Sequence, residues 1–146
     1  MVGKIFIDTS FYSTQKCRSF KEMVFVFGDN IEEWGFGGQA IIRDEPNAFG
    51  VPTKISPYEY MRDDHEDIHK FTARIFSCVT NLKSMQEEGK TIVFPQGGLG
   101  TGLAQLPEKA PGVFKFLNEL LEEQFGINHV IDEETEEWIL VMKGER

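Results

Sequence analysis

Basic residues are scarce in this 146-residue chain: 15 Lys and Arg stand against 24 Asp and Glu, a formal net charge of −9. A field of that sign repels phosphate backbones, so neither duplex nor single-stranded nucleic acid is the expected partner. It still leaves room for one small anion in a site made of backbone N–H groups, whose dipoles act at short range. Cysteine is scarce too, with only Cys17 and Cys78. Two unmatched thiols make neither a disulfide framework nor a zinc site. Cys78, inside an apolar stretch of helical spacing, reads as core rather than nucleophile. No apolar run approaches the roughly 18 residues of a membrane span. The chain opens without a basic segment followed by an apolar one, so a cytoplasmic protein with reduced thiols and no membrane partner is expected. With three histidines, no Ser-His-Asp or Cys-His arrangement suggests itself. Internal repeats, low-complexity tracts and linkers are missing as well, which points to a single domain over 1–146.

Phenylalanine is plentiful, with 13 residues, and so is glycine, with 14. Lys4–Asp8 alternates and predicts a strand. Thr9–Lys21 has no clear period and reads as a loop or a short helix. Met23–Phe27 is continuously apolar and stops at Gly28, the pattern of a strand buried on both faces. A glycine-rich loop follows, then a short helix from about Gly38 to Arg43, ended before Pro46. Phe49–Thr53 reads as a short strand whose Pro52 suggests an edge or a strand end. A long helix is predicted to start near Asp63 or Asp64 as N-cap. Ile68, Phe71, Ile75, Val79 and Leu82 form its buried stripe, and Gly89 stops it. Thr91–Phe94 is a second buried strand. Pro107 suits the first turn of the next helix, which buries Val113, Phe114, Leu117, Leu120, Leu121 and Phe125 and ends at Gly126. Trp138–Met142 closes the chain as a strand. The acids Asp132, Glu133, Glu134, Glu136 and Glu137 before it read as a solvated turn. Strands alternating with helices predict a three-layer α/β domain.

Two strand–glycine-turn–helix units carry the strongest chemical signal: VFVFGDN leading into WGFGGQA, and TIVF leading into PQGGLGTG. A buried strand that ends in glycines and feeds a helix leaves backbone N–H groups unpaired and pointing one way, which makes an anion site. Glycine permits close approach of the backbone to phosphate. In open α/β sheets the ligand crevice lies beyond the C-terminal strand ends, so two such turns can clasp a diphosphate from both sides. Neither turn carries the Lys-Ser/Thr of a P-loop, and neither is a G-x-G-x-x-G opening a long helix, which excludes P-loop hydrolysis and a nicotinamide-dinucleotide fold. No motif calls for a cofactor.

Phe27-Gly28-Asp29-Asn30, the GFGGQA stretch, FGVPTK at 49–54 and FPQGGLGTGLAQLP at 94–107 resemble the macrodomain pattern over about residues 23–115. The resemblance is to the branch that removes ADP-ribose from nucleic acid bases or acidic side chains, and to small macro-like proteins of bacteriophages. It implies a three-layer α/β/α macrodomain-like fold with a central mixed sheet and an ADP-ribose-like ligand. Asn30 would face the distal ribose. Gly28, Gly35, Gly37 and Gly38 would line the first phosphate loop, and Gly98, Leu99, Gly100, Thr101 and Gly102 the second. Asp8, with Asp29 as rival, would accept from an adenine amino group, and Phe36 or Phe49 would stack on the base. Catalytic positions depart from the pattern: Gly37 stands where one branch has a nucleophilic Lys, Pro107 where it has an acid, and Gln39 where another has an Asp. A binding or sequestering module is therefore expected. The alternative is an ADP-ribosyl or ADP-ribose-phosphate hydrolase in which Asn30 orients a water and Asp29 or Lys54 is the acid–base; Lys54 otherwise reads as a solvated strand-end charge. A further alternative is a host-interaction protein using its acidic surface.

His65-Glu66-Asp67-Ile68-His69 is a literal H-E-x-x-H, which on one helix face would bind zinc with Glu66 as base. Its place at an acidic helix start, with only His129 or an acid to add, favours two surface histidines instead.

Overall fold

The computed structural model describes residues 1–143. Strands β1 (Ile5–Asp8), β5 (Thr91–Pro95), β2 (Met23–Asn30), β3 (Ala48–Ser56) and β4 (Glu59–Tyr60) form one sheet in that spatial order. The first four are mutually parallel and β4 pairs antiparallel with β3, so the sheet is mixed. Helices α1 (Thr14–Ser19), α2 (Ile68–Glu87), α3 (Leu106–Lys109) and α4 (Pro111–Phe125), with a 3-10 helix at Gly38–Ile42, complete an α/β architecture. Among the described residues no helix is long and apolar enough to cross a membrane.

Alternation along the central strands builds two cores. Val24, Val26, Ile92 and Phe94 face α2 and α4, joined by Ile75, Val79, Leu82, Leu117 and Leu121. Phe25, Phe27 and Val93 face the other way, against Cys17 of α1 and Ala40 and Ile42 of the 3-10 helix. The continuous apolar run in β2 is thus explained by layers on both sides. Burial raises the thiol pKa of Cys17 and of Cys78, which keeps both protonated and inert.

The polar stretch after β1 takes the helical one of its two expected forms, α1, nucleated by Ser13, whose side chain accepts from Lys16 N. Several elements differ from expectation. Strand β2 runs on through Gly28 to Asn30, because β3 continues to pair with it across a register shift at Asp29/Asn30. Strand β3 is longer than Phe49–Thr53, but only Lys54 and Ser56 pair with β4, so Pro52 lies in a stretch with no strand on that side. Helix α2 begins at Ile68 rather than near Asp63. Asp63 instead caps α4, accepting from Gly112 N at 2.8 Å and Val113 N at 3.1 Å. Pro107 opens only the one-turn α3, and Pro111 restarts the chain as α4. Gly126 takes the left-handed conformation that ends α4, φ 67°, and a strand that the sequence reading lacked follows at Ile127–Ile131 (β6). Trp138–Met142 (β7) pairs with β6 in a separate hairpin. That hairpin is tied to the end of β5 by Leu140 N donating to Gln96 O at 2.8 Å.

Candidate functional site

The C-terminal ends of β1, β5, β2 and β3 open into a single cleft of about 850 Å³. Both glycine turns line it, with Gly28, Gly35, Gly37 and Gly38 from one and Gly98, Gly100 and Gly102 from the other. The turns touch directly: Leu103 Cδ1 lies 3.6 Å from where a Cβ on Gly37 or Gly38 would stand. Gln39 stitches them together. Its Oε1 accepts from Gly28 N at 2.8 Å and its Nε2 donates to Gly98 O at 2.7 Å.

Free donors are concentrated in the second turn. The N–H groups of Gly100, Thr101, Gly102, Leu103 and Ala104 meet no acceptor among the described residues, and neither do those of Gly35, Phe36 and Gly37 in the first. Consecutive unpaired amides at a turn form a concave anion-binding nest. Not every expected donor is free. Leu99 is fully buried in the core, and its N–H donates to His129 Nε2 at 2.9 Å. Thr101 points its hydroxyl back to Gly97 O and is absent from the cleft wall. Leu99 and the Thr101 side chain are therefore structural, and the second turn offers main chain rather than side chains.

His129 anchors that turn. Asn118 Oδ1 lies 2.6 Å from its Nδ1, which donates, leaving Nε2 as acceptor for Leu99 N–H. Burial lowers its pKa from 6.5 to about 3, so the ring is neutral in the fold. The ring also sets the identity of Gly98. With φ +94° this residue is left-handed, and a Cβ there would lie 2.7 Å from His129 Cδ2, closer than carbon atoms pack.

Asn30 and Asp29 end β2 at the cleft. Asn30 is buried, donates Nδ2 to Trp34 O at 2.8 Å, and holds its Oδ1 without any partner. A buried carbonyl oxygen left unpaired is costly unless something fills its valence. Asp29 forms a buried ion pair with Arg43 at 2.7 Å. Arg43 also donates to Gly35 O at 2.8 Å and Trp34 O at 3.2 Å, which pins the first loop. Asp8 lies on the far wall, ion-paired with Lys16 at 2.6 Å and accepting from Ser10 N and Oγ. Burial alone would raise its pKa, but the hydrogen bonds from Lys16 and Ser10 outweigh this and hold it below the ordinary value. Lys54 reaches the cleft with its ammonium on Pro57 O at 2.7 Å and 4.9 Å from the Tyr60 ring centroid.

The aromatic candidates are not where the sequence reading put them. Phe49 packs against the core, and Phe36, although exposed, is not on the cleft wall. Phe11, Tyr12, Trp34 and Trp138 are. The β6–β7 turn is solvated as expected, with Glu133, Glu134, Glu136 and Glu137 exposed, and its Asp132, Thr135 and Glu137 also line the cleft. The H-E-x-x-H does not form a helical pair: His65 lies in the turn before α2, with its Nδ1 accepting from Asp67 N at 2.9 Å. Among the described residues no group of three His, Cys, Asp or Glu could hold a metal ion.

Residues 7–120 match a family of unknown function, DUF7831, and the chain belongs to that family. The matched span runs from the end of β1 through both glycine turns into α4. No curated protein and no solved structure matches the chain.

Proposed function

We propose that the cleft binds ADP-ribose or a related nucleotide diphosphate, and that the protein acts as a macrodomain-like binding or sequestering module. The observation that carries this reading is the set of unpartnered amides at Gly100, Gly102, Leu103 and Ala104, which line the same cleft as those of Gly35 and Gly37. Such amides stabilise a diphosphate without a lysine and despite the negative net charge. Asn30, which the macrodomain resemblance sets beside the distal ribose, ends β2 at the cleft and keeps its buried Oδ1 without a partner. Phe11, exposed on the cleft wall, suits the face of an adenine in the role expected of Phe36 or Phe49, whereas the Asp8 carboxylate expected to take its amino edge is held by Lys16 and Ser10.

Binding is favoured over turnover because the proposed acid–base groups are already engaged. Asp29 is committed to Arg43, and Lys54 to Pro57 O.

Calorimetry with ADP-ribose, NAD and AMP tests the reading. ADP-ribose binds, and Asn30→Ala weakens it about tenfold, the worth of one well-placed buried hydrogen bond. A folded sample that takes up none of the three at millimolar concentration removes the proposal. Release of ADP-ribose from a modified substrate, lost in Asn30→Ala, replaces the binding role with hydrolysis.

A further inference from the structure

The mouth of the cleft is aromatic and acidic together. Phe11 is 97% exposed, Tyr58 85% and Trp34 44%, and they stand on the loops after β1, β3 and β2. Large apolar side chains gathered around one opening mark a contact surface. Trp34 and Tyr58 meet edge to face with ring centroids 5.6 Å apart. The pair has a carboxylate beside it: Glu32 accepts from Trp34 Nε1 at 2.9 Å. The β6–β7 turn, whose Asp132, Thr135 and Glu137 line the cleft, exposes Glu133, Glu134 and Glu136.

Nucleobases stack well on such rings, but a strand of phosphates would have to approach a rim lined with carboxylates on a chain of net charge −9. Of the nearby cations, Arg43 and Arg74 are paired with Asp29 and Glu33. Lys54, on Pro57 O, and Lys109, over the Tyr60 ring, have no carboxylate partner among the described residues, and the exposed glutamates around the opening outnumber them. An aromatic face beside a carboxylate is complementary to a guanidinium or ammonium group, attracted by the ring quadrupole and the acid together.

We infer that the nucleotide reaches the cleft attached to a basic polypeptide, whose Arg and Lys side chains dock on the Trp34–Tyr58 pair and the hairpin glutamates. The inference rests on the nucleotide reading of the cleft, where Asn30 Oδ1 is buried and unpartnered. Tyr58, Glu133, Glu134 and Glu136 are not part of the cleft wall, so docking and nucleotide binding are separable.

The test titrates the full chain with free ADP-ribose, an ADP-ribosylated peptide rich in Arg and Lys, the same peptide unmodified, and an ADP-ribosylated single-stranded oligonucleotide. The modified basic peptide is expected to bind about tenfold tighter than free ADP-ribose, the sum of a few exposed ion pairs and one cation–π contact. The advantage shrinks with added salt. It disappears in Tyr58→Ala and in the triple variant Glu133→Gln, Glu134→Gln, Glu136→Gln, while both hold free ADP-ribose like the parent and keep its circular dichroism spectrum. Equal affinity for free and peptide-borne nucleotide overturns the inference and leaves the nucleotide reading intact. So does tighter binding of the oligonucleotide, or of the unmodified peptide. If neither free ADP-ribose nor the modified peptide binds, the nucleotide reading itself has failed.

Discussion

Gln39 joins the two turns across the 59 residues between itself and Gly98, accepting from Gly28 N and donating to Gly98 O. Only a primary amide of this reach does both at once; a carboxylate has no proton to give to Gly98 O. Truncation would leave the Gly28 N–H and the Gly98 carbonyl without partners, each a loss on the order of 1 kcal/mol or more. Gln39→Ala is therefore expected to lower stability by about 1–3 kcal/mol in urea denaturation and, on the proposed nucleotide reading, to weaken ADP-ribose binding by loosening the second turn. Gln39→Glu does not rescue it, because the new carboxylate faces a carbonyl oxygen. Full stability in both variants would show that the loops hold their positions without the stitch.

Helix α4 is an element whose start is made elsewhere in the chain. Its N-cap position is Ala110, which has no side chain to satisfy the first turn, and Pro111 supplies only the favourable backbone angle. The acceptor comes from Asp63, 49 residues before Gly112. The same contact explains the glycine at 112, where a Cβ would sit 3.0 Å from Asp63 Oδ1. Asp63→Ala should cost about 1 kcal/mol, the usual worth of a cap, whereas Asp64→Ala should stay within about 0.5 kcal/mol of the parent. Thermal denaturation of the pair distinguishes them, and equal effects would contradict a cap supplied by Asp63.

For the molecule as a whole, His129 makes stability depend on pH. The fold holds the ring neutral with a pKa of about 3, against 6.5 for the ordinary side chain. Between those values the unfolded chain takes up a proton that the fold refuses. Stability therefore falls as pH drops below 6.5, by up to about 1.4 kcal/mol per pH unit, and is indifferent to this group above it. Asp8 adds a loss at lower pH, as its depressed carboxyl is protonated and the pair with Lys16 is broken. Urea midpoints at pH 7 and pH 5 should differ, with most of the difference removed in His129→Gln, which retains an acceptor for Leu99 N–H. An unchanged difference in that variant would place the acid sensitivity elsewhere.

Short-range physics made much of this protein legible from sequence alone. The apolar run of β2, the helical stripe from Phe71 to Leu82 and the stop at Gly126 each record a periodic or conformational demand met within a few residues. The two glycine turns were legible for the same reason, as strand ends feeding helices. The remaining assignments depended on partners far away in the chain. Nothing near Leu99 marks it as core, nothing near Asp63 marks it as the cap of α4, and nothing in GGQA shows that Gln39 binds the opposite loop. Nor did Asp132 and Glu137 carry any sign that folding the β6–β7 hairpin against Gln96 would bring them to the cleft. Chain pattern specifies which face of an element is buried. Only the packed structure decides which distant donor meets which acceptor, because those pairings arise from distances in space that no local periodicity encodes.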